Sequence, residues 1–124
     1  MSIKTNVENM NEMSYQQGKW KEALEKYYAD DVVRKVSGLV PLVGKDMIRE
    51  QIEDFIKGCT EFHSLEIKAV AVDEENNVSM VEMSQEYTHK FYGHIRQSLV
   101  FVQRWRDGQI YEESLYVMQE RVNQ

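Results

Sequence analysis

Hydrophobic residues recur with a helical period in the first half of the chain and alternate with polar residues in the second half. The stripe formed by Trp20, Ala23, Leu24 and Tyr27, at spacings of three and four, predicts a short helix with one buried face. After this helix, three valines within residues 32–36 favour a pleated strand. The chain therefore changes from helix to strand near residue 30.

A second helix is predicted after the loop from Gly38 to Gly44. Asp46 places a negative charge in its first turn, where the backbone dipole favours an anion. Gly58 is expected to end this helix in a left-handed conformation. The predicted apolar face is formed by Met47, Ile48, Ile52, Phe55 and Ile56.

Four extended segments are predicted in the second half, over about residues 62–74, 77–91, 95–106 and 109–119. Turn residues separate them: 74–77, Gly93 and the pair Asp107-Gly108, which is a strong hairpin signal. Three successive hairpins predict an antiparallel meander. Its apolar face needs a cover, and the three helices expected before it are the elements available.

The register of the second hairpin decides which side chains share a face. If this hairpin centres near Gly93, the facing pairs are Val81 with Trp105, Met83 with Gln103, Gln85 with Phe101, and Tyr87 with Leu99. The opposite face then brings Glu82 near Arg104 as a cross-strand charge pair.

The last hairpin leaves two alternatives open. A three-residue turn with a bulged glycine directs Tyr111, Glu113, Leu115 and Val117 to the inner face. A two-residue turn directs Ile110, Glu112, Ser114 and Tyr116 there instead.

Composition narrows the class of protein. The 124 residues suit one domain. The net charge of −6 argues against a nucleic-acid partner, and no apolar run approaches the roughly 20 residues that span a bilayer. Cys59 is the single cysteine, so neither an internal disulfide nor a cysteine-based zinc site is expected, and a reducing cytoplasm is the predicted location. The histidine spacing predicts no metal site.

The order of these segments resembles the SnoaL-like branch of the nuclear transport factor 2-like superfamily, which includes ketosteroid isomerases and polyketide cyclases. The matching pieces are Gly18 to Trp20, Tyr28 to Asp31, Pro41 to Arg49 and Arg106 to Ile110. The resemblance implies a single SnoaL-like domain over residues 1–124 with a cystatin-like α+β fold, in which three N-terminal helices cover a cone-shaped, mainly antiparallel sheet.

The resemblance also implies a pocket for a small hydrophobic molecule between helices and sheet, and a homodimer through the outer sheet face. No cofactor is expected, because the sequence has neither a dinucleotide fingerprint nor a phosphate-binding glycine loop. Residues expected to supply apolar area on that outer face are Val100, Val102, Ile110 and Tyr116. Aligned on the ketosteroid isomerases, this chain has Asn11 where a tyrosine is expected, Val36 where the base is expected and no acid near Phe101. The alignment therefore supports the scaffold and argues against that isomerase mechanism.

SnoaL-type cyclases use a late acid on the final strand with a histidine nearby, and this strand offers Glu112 or Glu113. If Glu113 points inward among Phe101, Trp105 and Leu115, loss of solvent would suit it to acid–base catalysis. His89 lies two residues after Tyr87 and is therefore expected on the same inner face of the strand. Its imidazole could act together with Glu113. The predicted catalytic residues are Glu113, Tyr87 and His89.

Polar and aromatic side chains on the inner face are predicted to bind the ligand, although the polar ones could instead pair with one another in a packed core. They are Tyr15, Trp20, Tyr28, Met83, Gln85, Phe101, Gln103 and Trp105. The resulting hypothesis is a small-molecule-binding protein with an apolar pocket, with isomerase- or cyclase-type proton transfer as its possible chemistry. The alternative is a non-catalytic dimerisation or protein-interaction module.

Overall fold

The computed structural model describes residues 2–122, which form three N-terminal helices and one curved six-stranded sheet. The helices are α1 (Ile3–Asn11), which continues into a π-helical turn (Glu12–Gln16), α2 (Trp20–Tyr27) and α3 (Lys45–Gly58). The strands are β1 (Tyr28–Val36), β2 (Leu42–Val43), β3 (Cys59–Asp73), β4 (Val78–His89), β5 (Gly93–Arg106) and β6 (Gln109–Arg121). This architecture is the α+β fold expected from the sequence.

The predicted helical stripes are buried. Ala23, Leu24 and Tyr27 of α2 are almost fully enclosed, and Asp46 lies in the first turn of α3. The apolar face of α3 is narrower than predicted, because Met47 and Ile56 are exposed at 45% and 47%. No helix within residues 2–122 has the length and apolarity needed to cross a bilayer.

Gly58 does not end α3 in a left-handed conformation, so this prediction was wrong. A side chain is excluded there for a different reason: a Cβ atom on Gly58 would lie 2.0 Å from Nε2 of His89. His89 is itself 5% exposed and stacks on Tyr92 at 4.4 Å between ring centroids. The glycine therefore allows the end of α3 to approach the β4–β5 hairpin.

The strand order is β2-β1-β6-β5-β4-β3, and β1 pairs with β6 in parallel while all other pairs are antiparallel. The meander of β3 to β6 was predicted, but the parallel pairing of β1 was not. This pairing places Arg34 directly beside Glu113. The candidate site depends on this contact.

The predicted register of the β4–β5 hairpin is four residues out. The observed pairs are Val81 with Phe101, Met83 with Leu99, Gln85 with Gln97, and Tyr87 with Ile95. The loop is Lys90 to Tyr92, and Gly93, with φ of +81°, is the first residue of β5 rather than the centre of the turn. A three-residue loop followed by a left-handed glycine is a common hairpin form.

An even offset keeps every side chain on its predicted face but changes its neighbours. Glu82 consequently lies opposite Val100 rather than Arg104.

The β5–β6 hairpin combines the two predicted alternatives. Asp107 and Gly108 both have positive φ, as a two-residue turn of the mirror-image type requires. The register then shifts between Arg104 and Trp105, which leaves Tyr111 as an extra residue. Because of this bulge, Ile110 and Glu113 both point inward and both are 0% exposed. Placing Ile110 on the outer face was therefore wrong.

Candidate functional site

A cavity of about 520 Å³ lies between the concave face of the sheet and the helices, and it is partly open to solvent. Most of its wall is apolar. Leu24, Ile52 and Phe55 contribute from the helices, and Leu99 and Phe101 contribute from the sheet. A cavity of this size and lining is typical of a small-molecule site.

At one end of the cavity wall, Glu113 is surrounded by hydrogen-bond donors. Its Oε2 accepts from the hydroxyl of Tyr28 at 2.5 Å and from Nε2 of Gln103 at 2.7 Å. Its Oε1 accepts from Nε of Arg34 at 2.9 Å and contacts the Nη2 atom at 2.7 Å. Four donors for two oxygens are what a charged carboxylate needs when it is removed from water.

Arg34 matches the charge of Glu113 within the wall. It is 7% exposed, and its remaining guanidinium nitrogen donates to Oε1 of Gln51 at 3.2 Å. Burial alone would lower the pKa of Arg34, but the charge of Glu113 outweighs this effect and raises the pKa above its ordinary value. The guanidinium of Arg34 therefore stays protonated, with the carboxyl oxygens of Glu113 as its partners.

Two phenols beside this pair are held in their protonated form. Burial, with the nearby charge of Glu113, raises the pKa of Tyr28 well above its ordinary value and that of Tyr15 to about 12. Tyr15 as a whole residue is 37% exposed, while its hydroxyl lies at the enclosed end near Glu113. Among residues 2–122, the Tyr15 hydroxyl has no hydrogen-bond partner, and it lines the cavity.

A buried chain of hydrogen bonds fixes the orientation of Gln103. Nε1 of Trp105 donates to Oγ of Ser79 at 2.9 Å, and this hydroxyl donates to Oε1 of Gln103 at 2.9 Å. Because the indole can only donate, the direction of the whole chain is set. The amide nitrogen of Gln103 must then face Glu113.

Most of the predicted site residues line the cavity, and three do not. Those that line it are Tyr15, Trp20, Tyr28, Met83, Gln85, Tyr87, Phe101 and Gln103. Glu113 lies behind the wall formed by its donors. Trp105 is 3% exposed and packs edge-on against Tyr27 in the core, so it is not a cavity wall. His89 lies beside Gly58, where its Nδ1 accepts from the backbone of Phe91.

The three predicted catalytic residues are not brought together. Tyr87 pairs with Ile95, whereas Glu113 pairs with Gln103, eight residues further along β5. At about 3.3 Å per residue this separation is roughly 26 Å along the strand. The register error explains the difference, since the predicted pairing brought Tyr87 four residues closer to Gln103.

Sequence reasoning missed Arg34, Gln51, Gln97 and Gln119 of the cavity lining. Arg34 was not among the predicted site residues. A signal was present, because Arg34 follows Val32 by two residues and therefore shares its buried face. The acid that neutralises it comes from β6, and only the parallel pairing reveals this.

The three positions that depart from the ketosteroid isomerase pattern all line the cavity. They are Asn11, Val36 and Phe101. No group of three His, Cys, Asp or Glu side chains in the part of the chain described is arranged to hold a metal ion.

Comparison with solved structures shows the same fold. The chain is similar to a protein from Mesorhizobium loti named as a candidate SnoaL-like polyketide cyclase, with a TM-score of 0.82 and 22% identity over 94% of this chain and 99% of that one. It is also similar to a candidate isomerase from Bacillus subtilis (TM-score 0.69, 20% identity, 92% and 84% covered). A third is a Mycobacterium tuberculosis epoxide hydrolase (TM-score 0.67, 14% identity, 92% and 80% covered).

None of the curated proteins compared matches the chain in sequence. The family model described as the SnoaL-like domain, however, matches residues 7–113. This segment contains α2, α3, the strands β1 to β5 and the first residues of β6 up to Glu113. The chain therefore belongs to the SnoaL-like domain family.

Proposed function

We propose that the protein binds a small, neutral and mostly apolar molecule in the cavity and orients a carbonyl oxygen of that molecule at the polar end. The observation that carries this proposal is an apolar cavity of about 520 Å³ that meets the group formed by Tyr15, Tyr28, Arg34 and Gln51. A few convergent polar groups in an apolar cavity are the usual arrangement for orienting a ligand. The unpaired hydroxyl of Tyr15 is available to donate to the carbonyl.

The charge of the polar end favours a neutral ligand. Arg34 is already neutralised by Glu113 through two contacts of 2.9 and 2.7 Å. A ligand carboxylate at the same place would add a second negative charge, and no second cation is present among the described residues that line the cavity, so the charge would be costly away from water. A ketone therefore suits the site better than a fatty acid does.

The test is calorimetric titration with the steroid ketone testosterone and, for comparison, with laurate. We expect testosterone to bind and laurate to bind more weakly. Tyr15→Phe removes only the hydroxyl, and we expect the affinity for testosterone to fall about 2- to 10-fold, the worth of one neutral hydrogen bond.

The matched control is Tyr116→Phe, which removes a hydroxyl from the exposed outer face of the sheet and should leave binding unchanged. The proposal fails if the wild-type protein binds no testosterone. The role of Tyr15 fails if Tyr15→Phe binds testosterone as tightly as the control does.

Proton transfer is a second candidate function, favoured by the 2.5 Å contact between Tyr28 and Glu113. A hydrogen next to the ligand carbonyl would pass to the Tyr28 oxygen while the phenolic proton of Tyr28 moves to Glu113. The C–H electron pair would move into the enolate, whose oxygen Tyr15 would stabilise. Tyr87 and His89 have no part in this step because they lie at the other end of the sheet.

The second function is tested by following exchange of the hydrogens next to the testosterone carbonyl for deuterium by NMR. Acid–base catalysis predicts exchange faster than in buffer, reduced roughly 100-fold in Tyr28→Phe while testosterone still binds. Exchange at the buffer rate with the wild-type protein would leave binding as the function.

We also propose that the protein forms a homodimer through the outer face of the sheet. The centre of that face carries Val100, Val102, Met80, Tyr116 and Met118, of which the last three are exposed at 46%, 58% and 76%. An apolar centre is typical of homodimer interfaces. A second copy of the chain is the occupant that the family resemblance favours.

A further inference from the structure

Three glutamines form a hydrogen-bonded ladder across the cavity wall, far from Glu113. Nε2 of Gln85 on β4 donates to Oε1 of Gln97 on β5 at 2.7 Å, and Nε2 of Gln97 donates to Oε1 of Gln119 on β6 at 2.7 Å. All three side chains line the cavity. Each is placed by strand register, since Gln97 pairs directly with both Gln85 and Gln119.

The ladder and the Glu113 group lie at opposite ends of an apolar stretch of wall. Gln97 and Gln103 are six residues apart on β5, which is roughly 20 Å measured along the curved strand at about 3.3 Å per residue and is an upper limit on their separation across the concave cavity. Two rows of apolar side chains separate them on the inner face: Phe101 with Leu115, and Leu99 with Val117. The cavity is therefore polar at two ends and apolar in between.

The ladder has hydrogen-bonding capacity left over. Its two bonds use one donor of Gln85, one acceptor and one donor of Gln97, and one acceptor of Gln119. The amide nitrogen of Gln119 and the carbonyl oxygen of Gln85 each remain able to bond to a ligand. Rotating all three amides together reverses the ladder and keeps both bonds, so each end can present either a donor or an acceptor.

We infer that the ligand carries a second polar group, a hydroxyl or one of similar donor–acceptor chemistry, which binds the glutamine ladder while the carbonyl lies at the Glu113 end. This inference rests on the proposed function and specifies its substrate class as molecules that are polar at both ends and apolar in the middle. A hydroxyl matches the ladder because it both donates and accepts. A charged group has no counter-ion among the three amides.

The experiment compares testosterone, a rigid ketone with a hydroxyl at the far end, with the analogue that lacks only this hydroxyl. Both are titrated by calorimetry into the wild-type protein and into Gln97→Leu, which removes both ladder bonds with little change in volume. The matched control is Gln109→Leu, the same substitution in β6 at a residue that does not line the cavity.

We expect the wild-type protein to bind testosterone about 3- to 10-fold more tightly than the analogue. In Gln97→Leu this preference should fall to about one, while the analogue binds as well as before or better. Gln109→Leu should keep the wild-type preference.

Two results would overturn the inference. The wild-type protein could bind both steroids equally, or Gln97→Leu could keep the preference for testosterone over the analogue. Either result would show that the ladder does not bind the second polar group, although the proposed function stands. If neither steroid binds to the wild-type protein, the proposed function and this inference fail together. Circular dichroism of each variant shows whether an altered affinity reflects altered folding.

Discussion

Glu113 is stabilised by its partners rather than by an apolar environment. Four donor contacts and the charge of Arg34 compensate for its complete burial. Removing one partner of such a pair typically costs about 3–5 kcal/mol, because the other charge is left buried and unmatched. In variants of Arg34 or Glu113, a loss of binding could therefore result from unfolding alone. Tyr15 is the better residue for testing binding, because its hydroxyl holds no other side chain in place.

Gly58→Ala is predicted to destabilise the protein. In a helix the exchange of glycine for alanine normally gains up to about 1 kcal/mol. Here the new Cβ would lie 2.0 Å from Nε2 and 2.3 Å from Cε1 of His89. The His89 ring cannot move freely, since it is buried and stacked on Tyr92. We expect the clash to prevail and to lower the free energy of unfolding by about 1–3 kcal/mol, measured by urea denaturation.

The double variant Gly58→Ala with His89→Ala is the control for this mechanism. If the clash is the cause, the double variant loses less stability than the two single variants added together, because the alanine at position 58 then meets no ring. A Gly58→Ala protein as stable as the wild type would show that the β4–β5 hairpin moves away from the new side chain without loss of stability.

At the scale of elements, most helices and strands and their type were predictable from the sequence. The pairing between the strands was predictable only in part. Helical and alternating periods located α2, α3 and the four strands β3 to β6, because these periods arise from burial of one face. The turn glycine Gly93 was recognised, but its place after the loop rather than within it moved the register by four residues. The bulge at Tyr111 likewise cannot be recognised from the alternation of polar and apolar residues. It is nevertheless the reason that Ile110 and Glu113 share the inner face.

The parallel pairing of β1 with β6 had the largest consequence for the site. Arg34 and Glu113 are 79 positions apart in sequence and become neighbours only through this pairing. A local pattern contains no information about such a contact. The acid was therefore identified from the sequence, whereas the arginine that pairs with it was not.

The outer face of the sheet leads to a prediction about assembly. Val100→Lys places a charge at the centre of the proposed dimer interface, opposite Glu82 and Tyr116 of its own chain. We expect the wild-type protein to be a dimer by size-exclusion chromatography with light scattering, and Val100→Lys to be a monomer, because closing the interface would strip water from the lysine charge in both copies, a cost that the neighbouring Glu82 does not repay. The control is Ser98→Lys, two residues along the same face and beside Met118, where the substitution should weaken the dimer less because serine supplies no apolar area to the interface. A monomeric wild-type protein at micromolar concentration would rule out the interface.

At the scale of the whole molecule, the family resemblance predicted the scaffold and the cavity, and eight of the predicted site residues line it. The ligand was not predictable from the fold, since one scaffold hosts many functions. The distribution of polar groups along the wall is more informative, because it depends on this chain's own side chains at the Glu113 end and at the glutamine ladder.

The two enclosed phenols predict how the stability of the molecule depends on alkaline pH. Tyr15 has a pKa of about 12, and that of Tyr28 is also raised, both chiefly by burial, whereas phenols in the unfolded chain ionise near pH 10. The folded state therefore keeps protons that the unfolded state loses. Stability from this source is fully present below about pH 10 and is lost as the pH rises towards 12.

Urea denaturation at successive pH values should show a steep decline in the free energy of unfolding over this interval. Tyr15→Phe should match the wild-type protein near neutral pH, where both phenols are protonated, and decline less steeply above pH 10. Parallel curves for the two proteins would mean that the Tyr15 hydroxyl ionises as readily in the folded as in the unfolded state, so that it is not enclosed at the Glu113 end.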